Sequence, residues 1–341
     1  MVKYMKNEKD LSLFRTRTDL VDDLSLNIKN ETYEEFGVKV NSIFIDEEQA
    51  KVIDKKSGNY TTISFKDTTD HTNFSNVKTI FIKELNKMFE KENIKKDATC
   101  LVIGLGNSDS TPDSLGIKTS ENIIITKHIY NLFGTLEKGY RITSRFNPGV
   151  MGETGIETSD VIKSIVDLVN PDFVIVLDAL ASLSIDRVCK TIQITNAGIS
   201  PGSGIGNKRK EISYDSIKKP VIAIGVPMVV DAATIVSDTI SYMEKHFSYN
   251  IKNKNSKRNK LIPSFKQNYL KEKDLSLTNE EKNYFFGKLG TLDDYEKRSL
   301  IFDVLTPIGY NLMVTPKEVD FLVETLSKLL SEGINSCLHN I

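Results

Sequence analysis

The sequence predicts an α/β fold, with a mostly parallel sheet flanked by helices. Two apolar runs, residues 100–105 and 173–177, are continuous rather than alternating, as in strands that are buried on both faces. Segments with a helical spacing of apolar residues stand between the apolar runs, which favours right-handed βαβ units. Each of the two runs leads towards a candidate aspartate, Asp113 after the first and Asp178 after the second.

The N-terminal third predicts a polar arm followed by an edge ribbon. Residues 1–30 are polar and broken by charges, so we expect an exposed arm before the fold. Two β runs follow at 40–45 and 60–65, and Ser57-Gly58-Asn59 between them is typical of a turn. An amphipathic pattern at 77–89 predicts a helix that covers the sheet.

The middle of the chain alternates glycine-rich loops, strands and helices. A loop with three glycines at 148–155 precedes an amphipathic helix at 161–169, which Thr158 or Ser159 can cap. The predicted order then runs through strand 173–178, strand 191–195, a second glycine-rich loop 198–209, strand 221–226 and helix 229–243.

The C-terminal part predicts an insertion followed by a helix. Residues 249–279 are rich in Lys and Asn and are typical of a solvated or disordered insertion. From residue 281 onwards the helical spacing returns, and this segment is expected to dock on the same core.

Composition excludes several classes of protein. A chain of 341 residues with 39% hydrophobic residues is typical of a globular protein. The net charge of -1 gives no overall field that would attract nucleic acid or an anionic membrane. Three widely spaced cysteines indicate neither a disulfide framework nor a zinc ribbon. No signal-peptide pattern or membrane-length apolar run is present, so we expect a cytoplasmic protein.

The common catalytic and cofactor motifs are absent from the sequence. The G-x-G-x-x-G motif is not completed at Gly104-Leu-Gly106, where Asp109 stands in place of the third glycine, or at Gly202-Ser-Gly204, where Asn207 does. No P-loop, H-E-x-x-H or G-x-S-x-G motif occurs. An alternative function remains open, in which backbone N–H groups of residues 198–209, with Lys208 and Arg209, bind a nucleotide or phosphate.

Asp113 and Asp178 are the remaining candidates for catalytic residues. Pro112 fixes the backbone before Asp113, and the small residues Ala179 and Ala181 leave space beside Asp178. Two neighbouring carboxylates share one proton, so the charged one can activate water while the protonated one protonates a leaving amine. A purely structural interpretation also stays open, in which Asp113 caps a helix and Asp178 binds backbone amides.

Several long motifs, in order along most of the chain, resemble the germination proteases of bacterial endospores. The motifs are Gly104-Leu-Gly-Asn with Thr111-Pro-Asp-Ser-Leu-Gly, Pro148-Gly-Val-Met-Gly-Glu-Thr-Gly-Ile-Glu-Thr, Asp178-Ala-Leu-Ala-Ser, Thr191-Ile-Gln-Ile, Pro201-Gly-Ser-Gly-Ile-Gly-Asn-Lys-Arg, Gly225-Val-Pro-Met-Val-Val-Asp-Ala and Met313-Val-Thr-Pro-Lys-Glu-Val-Asp.

The resemblance implies an endopeptidase that starts the degradation of small acid-soluble spore proteins during germination, in the spore core. It implies a homotetramer. From the charge and the lack of a membrane-length apolar run, we expect no direct contact with nucleic acid or membrane. The family is distantly similar to hydrogenase maturation endopeptidases, which implies a fold of the hydrogenase-maturation-protease or phosphorylase/hydrolase type. We expect a metal-independent site without a cofactor.

The resemblance also implies a zymogen and assigns residues. A propeptide, residues 1–19, would be removed autocatalytically between Asp19 and Leu20, leaving a single protease domain over 20–341 with the Lys/Asn-rich insertion. Asp113 and Asp178 would be catalytic. Two glycine loops would shape the substrate channel, through Gly149, Gly152, Gly155, Gly202, Gly204 and Gly206.

Overall fold

A computed structural model describes residues 20, 30–53, 55–202, 210–253, 275–305 and 312–339. The chain divides into two compact units. The first runs to Val230 and resumes at Thr315, and the second spans Asp231–Val314. The first unit holds the sheet and both candidate catalytic aspartates.

The strands of the first unit form one mixed sheet in the order β1-β2-β3-β7-β8-β6-β4-β5. Neighbours from β1 to β8 in this order are antiparallel, whereas β8, β6, β4 and β5 are parallel. The strands are β1 Asn30–Glu35, β2 Val38–Ile45, β3 Gly58–Ser64, β4 Cys100–Gly104, β5 Thr143–Phe146, β6 Phe173–Ser182, β7 Thr191–Thr195 and β8 Val221–Asp231.

The predicted α/β fold with flanking helices is confirmed, but the sheet is mixed rather than mostly parallel. The connection from β6 to β7, residues 183–190, contains only a 3₁₀ turn at Ile185–Arg187. A parallel crossover needs a dozen or more residues, so this connection is too short for one. β7 therefore runs antiparallel to β8 and to β3.

Helices cover both faces of the parallel half of the sheet. The helices of the first unit are α1 Glu47–Ile53, α2 His71–Lys91, α3 Leu115–Glu121, α4 Lys127–Phe133, α5 Met151–Thr154, α6 Thr158–Val169 and α7 Tyr214–Ile217, with the C-terminal helix Val319–Leu338. α6 packs Ile162 and Val166 against one side of β4 and β6. Gly104, whose side-chain position faces the other side, lies against α3.

The second unit is mainly helical in its described part. Its elements are α8 Ala232–Lys252, α9 Asn279–Phe286, α10 Lys288–Thr291, α11 Asp294–Leu305 and the short strand β9 Met313–Val314. The C-terminal helix Val319–Leu338, which belongs to the first unit, is numbered α12. α8 packs against α11 and carries Glu244, which pairs with Lys297 at 3.2 Å. Phe247 of α8 stacks on Phe285 with ring centroids 4.6 Å apart.

Several sequence predictions shift at element boundaries. β1 was not predicted, and the predicted β2–β3 pair is confirmed but is connected through α1 instead of a turn at Ser57-Gly58-Asn59. The predicted helix at 229–243 begins only at Ala232. β8 continues to Asp231, whose carboxylate then caps α8 by accepting the Thr234 N–H at 3.0 Å. Most of the predicted insertion, residues 254–274, lies outside the described residues.

Candidate active site

Asp113 lies in a tightly folded loop beyond β4. It ends the 3₁₀ turn Thr111–Asp113, and its Oδ2 accepts the Asn107 N–H at 2.9 Å. Gly106 has φ +115°, and a Cβ on it would lie 1.8 Å from the Asp113 carbonyl oxygen. Only glycine fits this close approach, so the glycine holds the loop that presents Asp113.

Asp178 lies inside β6 and is 7% exposed. Its Oδ1 accepts the N–H of Ala179 at 2.9 Å, and its neighbour in β8 is Gly225. Asp178 follows Val174 and Val176 at alternate positions, so its side chain is on the α6 side of the sheet.

Close backbone packing joins the Asp113 loop to β6. The Leu105 N–H donates to the Leu177 carbonyl at 2.8 Å, and a Cβ on Gly116 would lie 2.4 Å from the same oxygen. Residues of the turn at 111–113 have Cα atoms within 8 Å of Cα atoms of β6. Asp113 and Asp178 therefore both lie just beyond the carboxyl end of β4. The expectation that Asp178 ends its strand is wrong, because β6 continues to Ser182 by pairing with β8.

The first glycine loop also lies at this edge, after β5. It was predicted as a loop but contains the helical turn α5, which ends at Gly155 with φ +70°. Gly149 also has φ +70°, while Gly152 and Gly155 are exposed. The predicted caps of the next helix are wrong: Glu157 is the N-cap residue, α6 begins at Thr158, and no side chain caps it.

The second glycine loop is described only at its ends. Ile199 and Ile212 pair as an antiparallel bridge that closes the base of the loop, and Gly202 has φ +71°. Gly204 and Gly206 lie outside the described residues, as does Asp19. Leu20, the residue after the predicted cleavage point, has a fully buried side chain.

Four polar residues of this edge were not recognised from the sequence as parts of the site. Asn107 binds Asp113, and Asn147 accepts a hydrogen bond from the Ser120 hydroxyl at 2.6 Å. Glu157 and Ser159 each bury a side-chain oxygen without a hydrogen-bond partner. The sequence held a signal for Glu157, which stands directly between a glycine loop and an amphipathic helix. Ser159 was predicted only as a possible helix cap.

The described residues offer little support for other catalytic chemistries. No group of three or more His, Cys, Asp or Glu side chains in the described ranges is arranged to hold a metal ion. Burial raises the pKa of the Cys100 thiol and raises that of Cys189 to about 12, which keeps both protonated. None of the described helices is long and apolar enough to cross a membrane.

Comparisons with known proteins define the class and then the family. A family model of peptidases, described as germination protease, matches residues 3–341. The chain belongs to the germination protease family. The germination protease of Geobacillus sp. (strain WCH70) is 45% identical, covering 98% of this chain and 96% of that protein. The germination protease of Priestia megaterium is also 45% identical, covering 98% and 97%.

Among solved structures, a hydrogenase maturation protease shows a weak likeness to part of this chain. The crystal structure of the [NiFe] hydrogenase maturation protease HycI from Thermococcus kodakarensis KOD1 matches with a TM-score of 0.26 and 16% sequence identity. The match covers 42% of this chain and 80% of that chain.

Proposed function

We propose that this chain is an endopeptidase that starts the degradation of small acid-soluble spore proteins during germination, with Asp113 and Asp178 as its catalytic residues. The main supporting observation is the close packing of Gly116 on the Leu177 carbonyl. This contact holds the segment that follows Asp113 against the strand that contains Asp178. Membership of a peptidase family supports the reaction class.

The proposed mechanism uses the two carboxyl groups in complementary states. Two carboxylates close together do not both ionise readily, so the pair holds one shared proton. The ionised member takes a proton from water, whose oxygen attacks the scissile carbonyl carbon. The protonated member donates its proton to the nitrogen of the leaving amine as the C–N bond breaks. Backbone donors at Asn107 and Ala179 keep each carboxylate oriented.

The proposal includes the zymogen and the assembly. Residues 1–19 form a propeptide that the enzyme removes by cutting between Asp19 and Leu20, and the mature domain covers 20–341 in a homotetramer. The enzyme acts in the spore core without a metal or cofactor. The glycines at 149, 152, 155, 202, 204 and 206 shape a channel for an extended substrate.

The test replaces each candidate aspartate by its neutral isostere. Asp178→Asn and Asp113→Asn should each lower the rate of cleavage of a small acid-soluble spore protein by about a hundredfold or more, because proton transfer is lost. Self-removal of residues 1–19 should be lost in parallel. Mass spectrometry of the products and of the protein N-terminus measures both reactions.

Asp172→Asn is the matched control, because Asp172 precedes the amino end of β6 and binds the Thr99 N–H and hydroxyl. This variant should cleave at a normal rate. A normal rate in Asp178→Asn would overturn the aspartate pair, whereas equal losses in Asp172→Asn and Asp178→Asn would indicate a structural role for both.

A further inference from the structure

The helix α6 begins at the same edge of the sheet as the candidate catalytic aspartates. The chain leaves β5 at its carboxyl end and reaches the amino end of β6 after α6, so α6 runs opposite to the strands. Its first turn therefore lies beside the carboxyl edge. The Thr158 hydroxyl donates to the Gly149 carbonyl at 3.4 Å, which ties this turn to the first glycine loop.

Two polar atoms in this turn are buried and have no hydrogen-bond partner, Glu157 Oε1 and Ser159 Oγ. Ser159 is 8% exposed and precedes Ile162 and Val166 by three and seven residues, so it shares the side of α6 that faces the sheet. A buried acceptor without a donor loses its hydration without compensation. Such a pair of atoms therefore points to donors and acceptors that arrive with a ligand.

Asp160, in the same turn, has hydrogen-bond partners for both of its carboxylate oxygens. Asp160 is exposed, and both of its oxygens lie 2.9 Å from Lys210 Nζ. Hydrogen bonding to Asp160 and the Asp160 charge raise the pKa of Lys210, and the Glu157 charge adds to the effect. Lys210 thus directs its ammonium group to Asp160, while Glu157 Oε1 keeps an open acceptor position.

We propose that Glu157 and Ser159 form a subsite that binds the backbone of an extended substrate peptide, an inference that rests on the proposed endopeptidase function. Glu157 accepts a peptide N–H and Ser159 donates to a peptide carbonyl. A lysine or arginine side chain has donors but no acceptor, so it would leave the hydroxyl without an acceptor to bind.

The experiment compares variants of the full chain by binding and by cleavage of a small acid-soluble spore protein. In the Asp178→Asn background, Glu157→Ala should weaken binding of this protein about tenfold, since a hydrogen bond to a charged group is lost. Glu157→Gln should stay within about threefold of the parent, because its amide oxygen still accepts a neutral N–H. In the active chain, Glu157→Ala should raise KM similarly while kcat stays within about threefold.

Matched controls come from the same helix. Asp160→Asn should leave binding unchanged, and Ser159→Ala should weaken it while Ser164→Ala, whose exposed hydroxyl donates to the Asp160 carbonyl, should not. Glu157→Ala should also leave the Tm of the free protein unchanged or raised, because it removes a buried acceptor that lacks a donor. A structural role for Glu157 predicts a lower Tm instead.

The outcomes separate this inference from the proposed function. Equal binding by the Glu157→Ala and Asp160→Asn variants, or no binding of the spore protein at all, overturns the subsite. Equal losses in Glu157→Gln and Glu157→Ala overturn the choice of a backbone ligand. Continued cleavage by Asp178→Asn, together with weaker binding by Glu157→Ala, rejects the aspartate pair and retains the subsite.

Discussion

The two ends of the parallel strands use buried polar groups in opposite ways. At the amino ends, the Arg141 guanidinium is buried and donates to the carbonyls of Lys95 and Ala98 at 2.8 and 2.7 Å. It also lies over the Phe173 ring, with Cζ 5.2 Å from the ring centroid. The Arg141 backbone N–H donates to His339 Nδ1, and His339 Nε2 lies 3.1 Å from the Ile124 carbonyl oxygen.

At the carboxyl ends, the polar groups are arranged around loops instead of closing the core. Asp113 and Asp178 have hydrogen-bond partners that include the N–H groups of Asn107 and Ala179, whereas Glu157 Oε1 and Ser159 Oγ lack partners. Paired polar groups stabilise one arrangement, whereas open ones favour a partner that supplies what is missing. The comparison separates the end at which polar groups hold the fold together from the end at which we propose that substrate binds and reacts.

The largest expected effect concerns the glycine that packs against Asp113. Gly106→Ala places a Cβ on the Asp113 carbonyl oxygen, so the loop must move, and kcat/KM should fall about a hundredfold or more. Gly134→Ala is the control, since Gly134 also has positive φ but no atom lies within 4 Å of the added Cβ. It should cost about 1 kcal/mol in stability and no activity. Normal activity in Gly106→Ala would remove the link between this loop and the chemistry.

The next effect tests the amino end. Arg141→Met leaves the Lys95 and Ala98 carbonyls without their donor, so the free energy of unfolding should fall by about 3 kcal/mol. Arg145→Met, at an exposed position of β5, should stay within about 0.5 kcal/mol of the parent. Urea unfolding measures both. Similar values for the two variants would show that the Arg141 contacts contribute little to stability.

The smallest effect is a pH dependence at the same end. Burial lowers the pKa of His339, and the nearby Arg141 charge lowers it further. In the unfolded chain the imidazole binds a proton near pH 6.5, whereas the folded chain binds it only at lower pH. The contribution of His339 to the free energy of unfolding is therefore fully present above about pH 6.5 and is lost as the pH drops below it. The total loss is about 1.4 kcal/mol for each unit by which folding lowers the pKa.

Replacing the histidine isolates its contribution. His339→Gln should flatten the dependence of the unfolding free energy on pH between about 6.5 and 5, whereas the exposed His128→Gln should leave the slope as it is. Urea titrations at several pH values give the slope. An unchanged slope in His339→Gln would assign the acid sensitivity to other groups.

The elements with the strongest local patterns were predicted well from the sequence. β4 is buried throughout, β6 is apolar and buried from Phe173 to Leu177, and α6 carries its apolar residues on one face. β1 was missed because its six residues are largely exposed and show little alternation of apolar and polar side chains. Its extended conformation depends mainly on pairing with β2. The mixed sheet was missed because strand direction depends on the connection, which local periodicity does not report.

The sequence by itself determined the buried strands, the loops that follow them and, through ordered motifs, the resemblance to a protease family. It also selected Asp113 and Asp178 as candidates, since residue type and position after an apolar run are local properties. Only the tertiary structure decided that Gly116 packs on the Leu177 carbonyl, that Arg141 donates to the Lys95 and Ala98 carbonyls, and that Glu157 Oε1 has no partner. Contacts of this kind join segments far apart in the chain, and their hydrogen bonding depends on neighbours that spacing does not encode.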